Sequence, residues 1–118
     1  MLIRIDPGSP EPLFTQVTRA VRAEIASGRI AVGERLPSAR EVAQSLQINL
    51  HTVLHAYQDL RDEGLIELRR GRGAVVVADA AALSGLRDDI DALVAKAAAA
   101  GVSADTLSAL VKEAAHGR

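Results

Sequence analysis

Residues 36–77 read LPSAREVAQSLQINLHTVLHAYQDLRDEGLIELRRGRGAVVV, and the fold turns on them. Ala39, Val42, Ala43 and Leu46 recur at the spacing of one face of a two-turn helix. Ser38 stands where that helix needs a cap, and Glu41 three residues later completes the pattern of a capping box. A short break falls at Gln47-Ile48. Asn49 is a second cap, and the spacing predicts a helix from Leu50 to about Glu63. It turns Val53, Ala56, Tyr57 and Leu60 inward, and Gly64 ends it. Residues 65–69 then read as a strand, Arg70-Gly71-Arg72-Gly73 as a tight basic turn, and 74–77 as the returning strand. Two short helices alone are a weak sign of a helix-turn-helix, because many helical hairpins look alike. A basic hairpin directly after them makes the order that of a winged helix, α+β in class.

Upstream, residues 2–6 alternate imperfectly and read as a short strand, and Pro7, Gly8, Pro10 and Pro12 then break the chain. Leu13, Phe14, Val17, Val21 and Ile25 predict a helix that Gly28 stops, with a loop turning at Gly33 after it. Downstream the composition changes. Residues 78–118 hold 14 Ala in 41 positions against eight in residues 1–77, and the charge changes sign there too. Residues 1–78 carry ten Arg against nine acids, and residues 79–118 carry two Arg and two Lys against six acids. The expected division is therefore a winged domain at 1–78 and a helical tail at 79–118. Leu83, Leu86, Ile90, Leu93 and Val94 form one apolar stripe of that tail. After Gly101 and the cap Ser103, Leu107, Leu110 and Val111 form another. Two helices of this size bury little alone, so these stripes are the expected dimerisation surface.

Several function classes fall away. Apolar residues at 48% are enough for a core, and aromatics at 2% leave it to Leu, Ile, Val and Ala, which suit helix packing. Without Cys there is no disulfide scaffold, no thiolate zinc site and no Cys nucleophile. No apolar run approaches the length of a membrane span, and Met1-Leu2-Ile3-Arg4-Ile5-Asp6 lacks the form of a signal sequence, so a cytoplasmic protein is expected. A net charge of −1 excludes a histone-like polyelectrolyte but not a local basic patch. An enzyme is not expected. Ser38 serves as a cap, and Gly71-Arg72-Gly73 leads from strand to strand rather than into a helix, unlike a phosphate-cradling loop.

On these residues the chain resembles the GntR family of transcription regulators. Leu36-Pro37-Ser38-Ala39-Arg40-Glu41-Val42-Ala43 is similar to its helix-two motif. Ile48-Asn49-Leu50-His51-Thr52-Val53 with Ala56, Tyr57 and Leu60 is similar to its recognition helix. Glu63-Gly64-Leu65-Ile66 and the 70–73 turn complete the likeness. Pro12-Leu13-Phe14 with Gln16, and Gly28, Ile30 and Gly33 before Leu36, extend it. The short tail with Gly101-Val102-Ser103 resembles the YtrA-type subfamily.

The resemblance implies a dimeric DNA-binding repressor acting on a palindromic operator, with transporter genes as a target class. It also implies DNA contacts from Arg40, from Leu50, His51, Thr52 and Leu54, and from Arg70, Gly71 and Arg72. Many relatives carry Arg where Leu50 and Leu54 stand here. Helical geometry sets His51, His55 and Gln58 opposite the inward face, with Leu54 on the flank, and a capped helix start offers backbone N–H groups to phosphate. The candidate DNA-binding set is Ser38, Arg40, Asn49, Leu50, His51, Thr52, Leu54, His55, Arg69, Arg70, Gly71 and Arg72.

Alternatives stand beside these assignments. His51 and His55 at i and i+4 have metal-ligand spacing, but without an evident third ligand beyond Asp59 or Asp62 no metal is expected. They are otherwise a solvated face. Arg40 has Glu41 or Glu63 as an internal partner to choose, and the wing arginines can be a soluble hairpin tip. Tyr57 reads as core rather than a stacking platform. No cofactor and no effector is implied. The rival to a DNA-binding regulator is a winged-helix interaction module that does not bind DNA.

Overall fold

The computed structural model describes Met1 and residues 3–117. Helix α1 spans Leu13–Ala26, α2 Ala39–Leu46 and α3 Leu50–Asp62. The hairpin is β1 Ile66–Arg69 and β2 Gly73–Val76, and α4 Ala80–Ala99 and α5 Ala104–His116 follow. The chain divides into two compact units, Met1–Leu83 and Ser84–Arg118, so the first turn of α4 belongs with the winged unit.

In the first unit each helix forms for the reasons its sequence states. Val17, Val21 and Ile25 are fully buried along α1. The Ser38 hydroxyl accepts from the Glu41 N–H at 3.1 Å, and Asn49 Oδ1 accepts from the His51 N–H at 2.7 Å. Each satisfies a donor that an uncapped helix would leave bare. Between the two helices Gln47 adopts the left-handed conformation, φ +56°, and the Ile48 N–H returns to the Ala43 carbonyl at 3.0 Å. Val53, Ala56, Tyr57 and Leu60 are the buried residues of α3, the four that the periodicity selects.

The hairpin is antiparallel, with Ile66 opposite Val76, Glu67 opposite Val75, Leu68 opposite Ala74 and Arg69 opposite Gly73. Side chains alternate across a strand, so Ile66, Ala74 and Val76 face the core and Glu67, Arg69 and Val75 face away. Residues 33–36 lie along the outer edge of β2. Gly33 N–H donates to the Val76 carbonyl at 2.8 Å, Val76 N–H to Glu34 at 2.9 Å and Leu36 N–H to Ala74 at 2.8 Å. Arg35 bridges Val75 there, so a segment read as loop covers an otherwise bare sheet edge.

The strand expected at 2–6 is not formed at residues 3–6, and Leu2 lies outside the described residues. The segment is held by a side chain instead of a sheet. Buried Gln16 accepts from the Asp6 N–H at 2.7 Å and donates to the carbonyls of Asp6 and Glu11 at 3.0 and 2.9 Å. Ile3 and Ile5 still pack on the core. Among the described residues no helix is long and apolar enough to cross a membrane.

In the second unit α4 and α5 are joined at Gly101, φ +74°, and Ser103 caps α5 by accepting from the Thr106 N–H at 3.1 Å. Ala97 is the one buried residue of these two helices among those described.

Candidate nucleic-acid interface

Burying one face of α3 leaves His51, Leu54, His55 and Gln58 outside. Leu54 turns toward the hairpin, where it meets Leu68 across a shallow groove of about 470 Å³. Ser38, Ala39, Tyr57, Arg70 and Gly73 line the same groove. Leu68 shares the core-facing side of β1 with Ile66, but it sits too near the turn for the core to reach it and stays 44% exposed. It is a member of this surface that the sequence reading missed. The signal was its alternation with Ile66 one residue pair short of the basic turn.

The two helices that meet at the groove are fastened to each other. The Tyr57 hydroxyl donates to the Pro37 carbonyl at 2.6 Å, directly before the Ser38 cap. Burial, reinforced by the nearby Glu41 carboxylate, pushes the Tyr57 phenol well above its ordinary range, so it stays protonated and able to donate. At the far end of α3, Arg22 of α1 grips Glu63 through two hydrogen bonds of 2.8 and 2.9 Å. That hydrogen bonding raises the Arg22 guanidinium further still. Glu63 is thereby taken, and Arg40 on α2 is exposed with no acidic partner among the described residues.

Ion pairing sorts the remaining arginines, with Arg4 and Arg35 exposed and in no ion pair among the described residues. Arg19 pairs with Glu11, Arg29 with Glu24, and Arg61 with Asp62. Arg69 is held by Glu67, its neighbour on the outer face of β1, at 2.9 Å. Arg70 and Arg72 form the hairpin tip with no ion pair among the described residues. The turn closes from the Arg72 N–H to the Arg69 carbonyl at 3.0 Å, with Gly71 and Gly73 at φ +78° and +75°. Positive φ at both positions is what glycine supplies without strain. The free positive charge of this wall is therefore Arg40, Arg70 and Arg72, beside the exposed caps Ser38 and Asn49 and exposed His51.

Other candidates sit differently. Leu50 and Thr52 are half-buried, and Leu50 packs on the core. The His55 ring stacks on Phe14 of α1, with centroids 3.8 Å apart and planes 16° apart, and its Nε2 lies 3.6 Å from Asp59. That contact draws His55 to the α1 side of α3, away from the hairpin groove. His51 and His55 gain no third ligand. No cluster of three or more His, Asp or Glu able to hold a metal occurs among the described residues.

In the tail, Leu86, Ile90, Leu93, Val94, Leu110 and Val111 are all 41–57% exposed, which the folding of a single chain leaves unsatisfied. Ile90, Leu93, Val94, Leu107 and Val111 line an apolar groove of about 660 Å³. Leu83 is set apart from them, half-buried against the core of the winged unit.

The model of the bacterial regulatory proteins of the gntR family matches residues 13–76, more than half of the chain. The HTH-type transcriptional repressor YtrA of Bacillus subtilis is 32% identical over 95% of this chain and 91% of its own length. Among solved structures, YtrA from Sulfolobus acidocaldarius, a GntR-family transcription factor, superposes with a TM-score of 0.65 at 33% identity. The match spans 84% of this chain and 99% of that one. The DNA-binding domain of AraR in complex with operator ORX1 matches at a TM-score of 0.57 and 27% identity, over 64% of this chain and 93% of that one.

Proposed function

The chain belongs to the GntR family and is a DNA-binding transcription regulator, and from that premise we propose that it acts as a homodimeric repressor on a palindromic operator. The observation that carries the reading is the sorting of charge. Ion pairs absorb the arginines around α1, while Arg40, Arg70 and Arg72 are left free beside the exposed side of α3. In this reading α3 enters the major groove and presents His51 and Leu54, with Leu50, Thr52 and His55 at its flanks. Leu54 and Leu68 offer apolar contact to thymine methyls and sugars. Arg40, the Ser38 and Asn49 caps, Gly71 and the wing arginines, Arg69 among them, contact the backbone or the adjacent minor groove.

A two-fold operator asks for a two-fold protein. The uncovered tail stripes are the surface proposed for it, with Leu86, Ile90, Leu93, Val94, Leu107, Leu110 and Val111 meeting their copies. The Bacillus subtilis relative is a repressor, which supports repression here. The target class is transporter genes near the chain's own, and the site of action is the cytoplasm, where the DNA lies.

The test is binding to the DNA upstream of the protein's own gene at several salt concentrations, for the native chain and for Arg70→Ala/Arg72→Ala. Each phosphate contact contributes about 0.9 to the slope of log affinity against log salt. In a dimer the double substitution lowers that slope by roughly 2 to 4. An unchanged slope and affinity would leave a winged-helix interaction module as the better reading.

A further inference from the structure

The hairpin has a second cationic edge, and it comes from outside the hairpin. Arg35 sits opposite Val75 in the bridge that attaches residues 33–36 to β2, so it projects from the same outer face as Val75. Val75 is 1% exposed yet does not belong to the main core cluster. Its two cross-strand neighbours on the outer face are Arg35 and Glu67. The Arg35 stem also reaches along the sheet toward the turn, since a Cβ on Gly73 would stand 3.7 Å from Arg35 Cδ. With its Cδ beside Gly73, the Arg35 side chain runs toward the turn that holds Arg72, and a long cationic side chain can lay its apolar stem on a sheet while its charge stays in water.

The charge pattern follows from the same register. Glu67, the acid of this face, pairs with Arg69 on its own strand at 2.9 Å. Arg35, on the opposite side of β2, is exposed and has no acidic partner among the described residues. Arg35, Arg72, Gly71 and Ser38 line one open cleft of about 550 Å³ between the 29–38 segment and the hairpin. Met1, Arg29, Glu34 and Glu41 line the cleft too. Arg29 is paired with Glu24, and the Glu34 carboxylate accepts from the Ala31 N–H at 3.1 Å. Glu41 remains at the α2 end, beyond Ser38.

We propose that Arg35 is a DNA-backbone contact of the wing, which takes a phosphate of its own next to the one Arg72 holds across the cleft beside β2. This rests on the DNA-binding reading above and adds a residue to it that does not lie in the hairpin or in either helix of the helix-turn-helix. The occupant is a phosphodiester of the duplex flanking the groove that α3 enters, and the contact is blind to base sequence.

The experiment uses the full chain and a short random-sequence duplex, because a phosphate contact acts on any sequence. Binding is followed by fluorescence anisotropy between about 50 and 200 mM salt. Arg35→Met and Arg35→Gln keep a stem beside Val75 and remove the charge, while Arg35→Lys keeps the charge. Both neutral variants lower the salt slope by about 0.9 per bound protomer, an affinity loss of about eightfold per protomer at about 0.1 M salt. Arg35→Lys holds the native slope, and the thermal melting of Arg35→Met stays native, which separates lost charge from lost folding. A native slope in the neutral variants, in a protein whose slope does fall with Arg70→Ala/Arg72→Ala, overturns the assignment of Arg35 and leaves DNA binding standing. A native protein that shows no salt-dependent affinity for any duplex overturns both.

Discussion

Replacing Tyr57 by Phe removes one oxygen and tests how the two helices of the helix-turn-helix are held. The hydroxyl is lost from a residue only 4% exposed, and with it a 2.6 Å hydrogen bond to the Pro37 carbonyl. Pro37 is half-buried, so water can partly replace the phenol. The cost is therefore the hydrogen bond plus part of a desolvated carbonyl, about 1–2 kcal/mol at neutral pH. For a unit of this size that lowers the melting temperature by roughly 4–16 °C.

Alkaline pH adds a second signature. The folded phenol titrates above the ordinary tyrosine value of about 10 because burial and then Glu41 disfavour the phenolate. Folded protein therefore keeps a proton that the unfolded chain releases, and stability is intact below pH 10 and falls as pH rises above it. One unit above that value, at about pH 11, the native chain loses about 1.4 kcal/mol that the Phe variant does not. The chain suits the measurement. It has one Tyr and no Cys, and its two Lys, Lys96 and Lys112, lie in the tail. Chemical denaturation of both proteins at neutral pH and near pH 11, with tyrosinate absorbance to follow ionisation, gives both numbers. Equal stability at neutral pH, or the same alkaline loss in both proteins, would refute the clamp.

Two further outcomes follow from the tail. Leu93→Asp in the full chain sets a charge in the proposed dimer seam, costs about 3 kcal/mol and weakens association roughly a hundredfold; sedimentation equilibrium that still returns a native dimer would place the seam elsewhere. Gly85 lies inside α4 with nothing within 4 Å of where a Cβ would stand. Gly85→Ala should therefore stabilise α4 by up to about 1 kcal/mol, read as a higher midpoint of helical circular dichroism, and a lower midpoint would mean that something packs on that position.

Much of this protein is written in local order along the chain. Ser38, Asn49 and Ser103 cap helices because a short oxygen-bearing side chain one residue before an apolar run can reach the bare N–H groups. Val53, Ala56, Tyr57 and Leu60 are inward because their spacing follows the helical turn, and the 70–73 turn is tight because two glycines accept positive φ. Those relations span a few residues and need nothing from the rest of the fold. The wall proposed to face DNA was legible to the same extent, as an exposed side of α3 followed by a basic hairpin.

Partnerships between distant residues were not legible. Residues 2–6 alternate as a strand does, but the Asp6 N–H and carbonyl are both bonded by the side chain of Gln16, ten positions on, instead of by a sheet edge. His55 reads as groove-facing on a helical wheel and is drawn aside by Phe14, a residue of another helix. Arg69, Arg70 and Arg72 look equivalent in sequence, yet strand alternation sets Glu67 beside Arg69 alone, while Arg35 joins the hairpin from forty positions earlier through its bridge to Val75. Periodicity ranks residues by direction from their own helix or strand. Which acid neutralises which arginine, and which arginine stands beside which valine, depends on the packing of elements whose contacts no local pattern encodes.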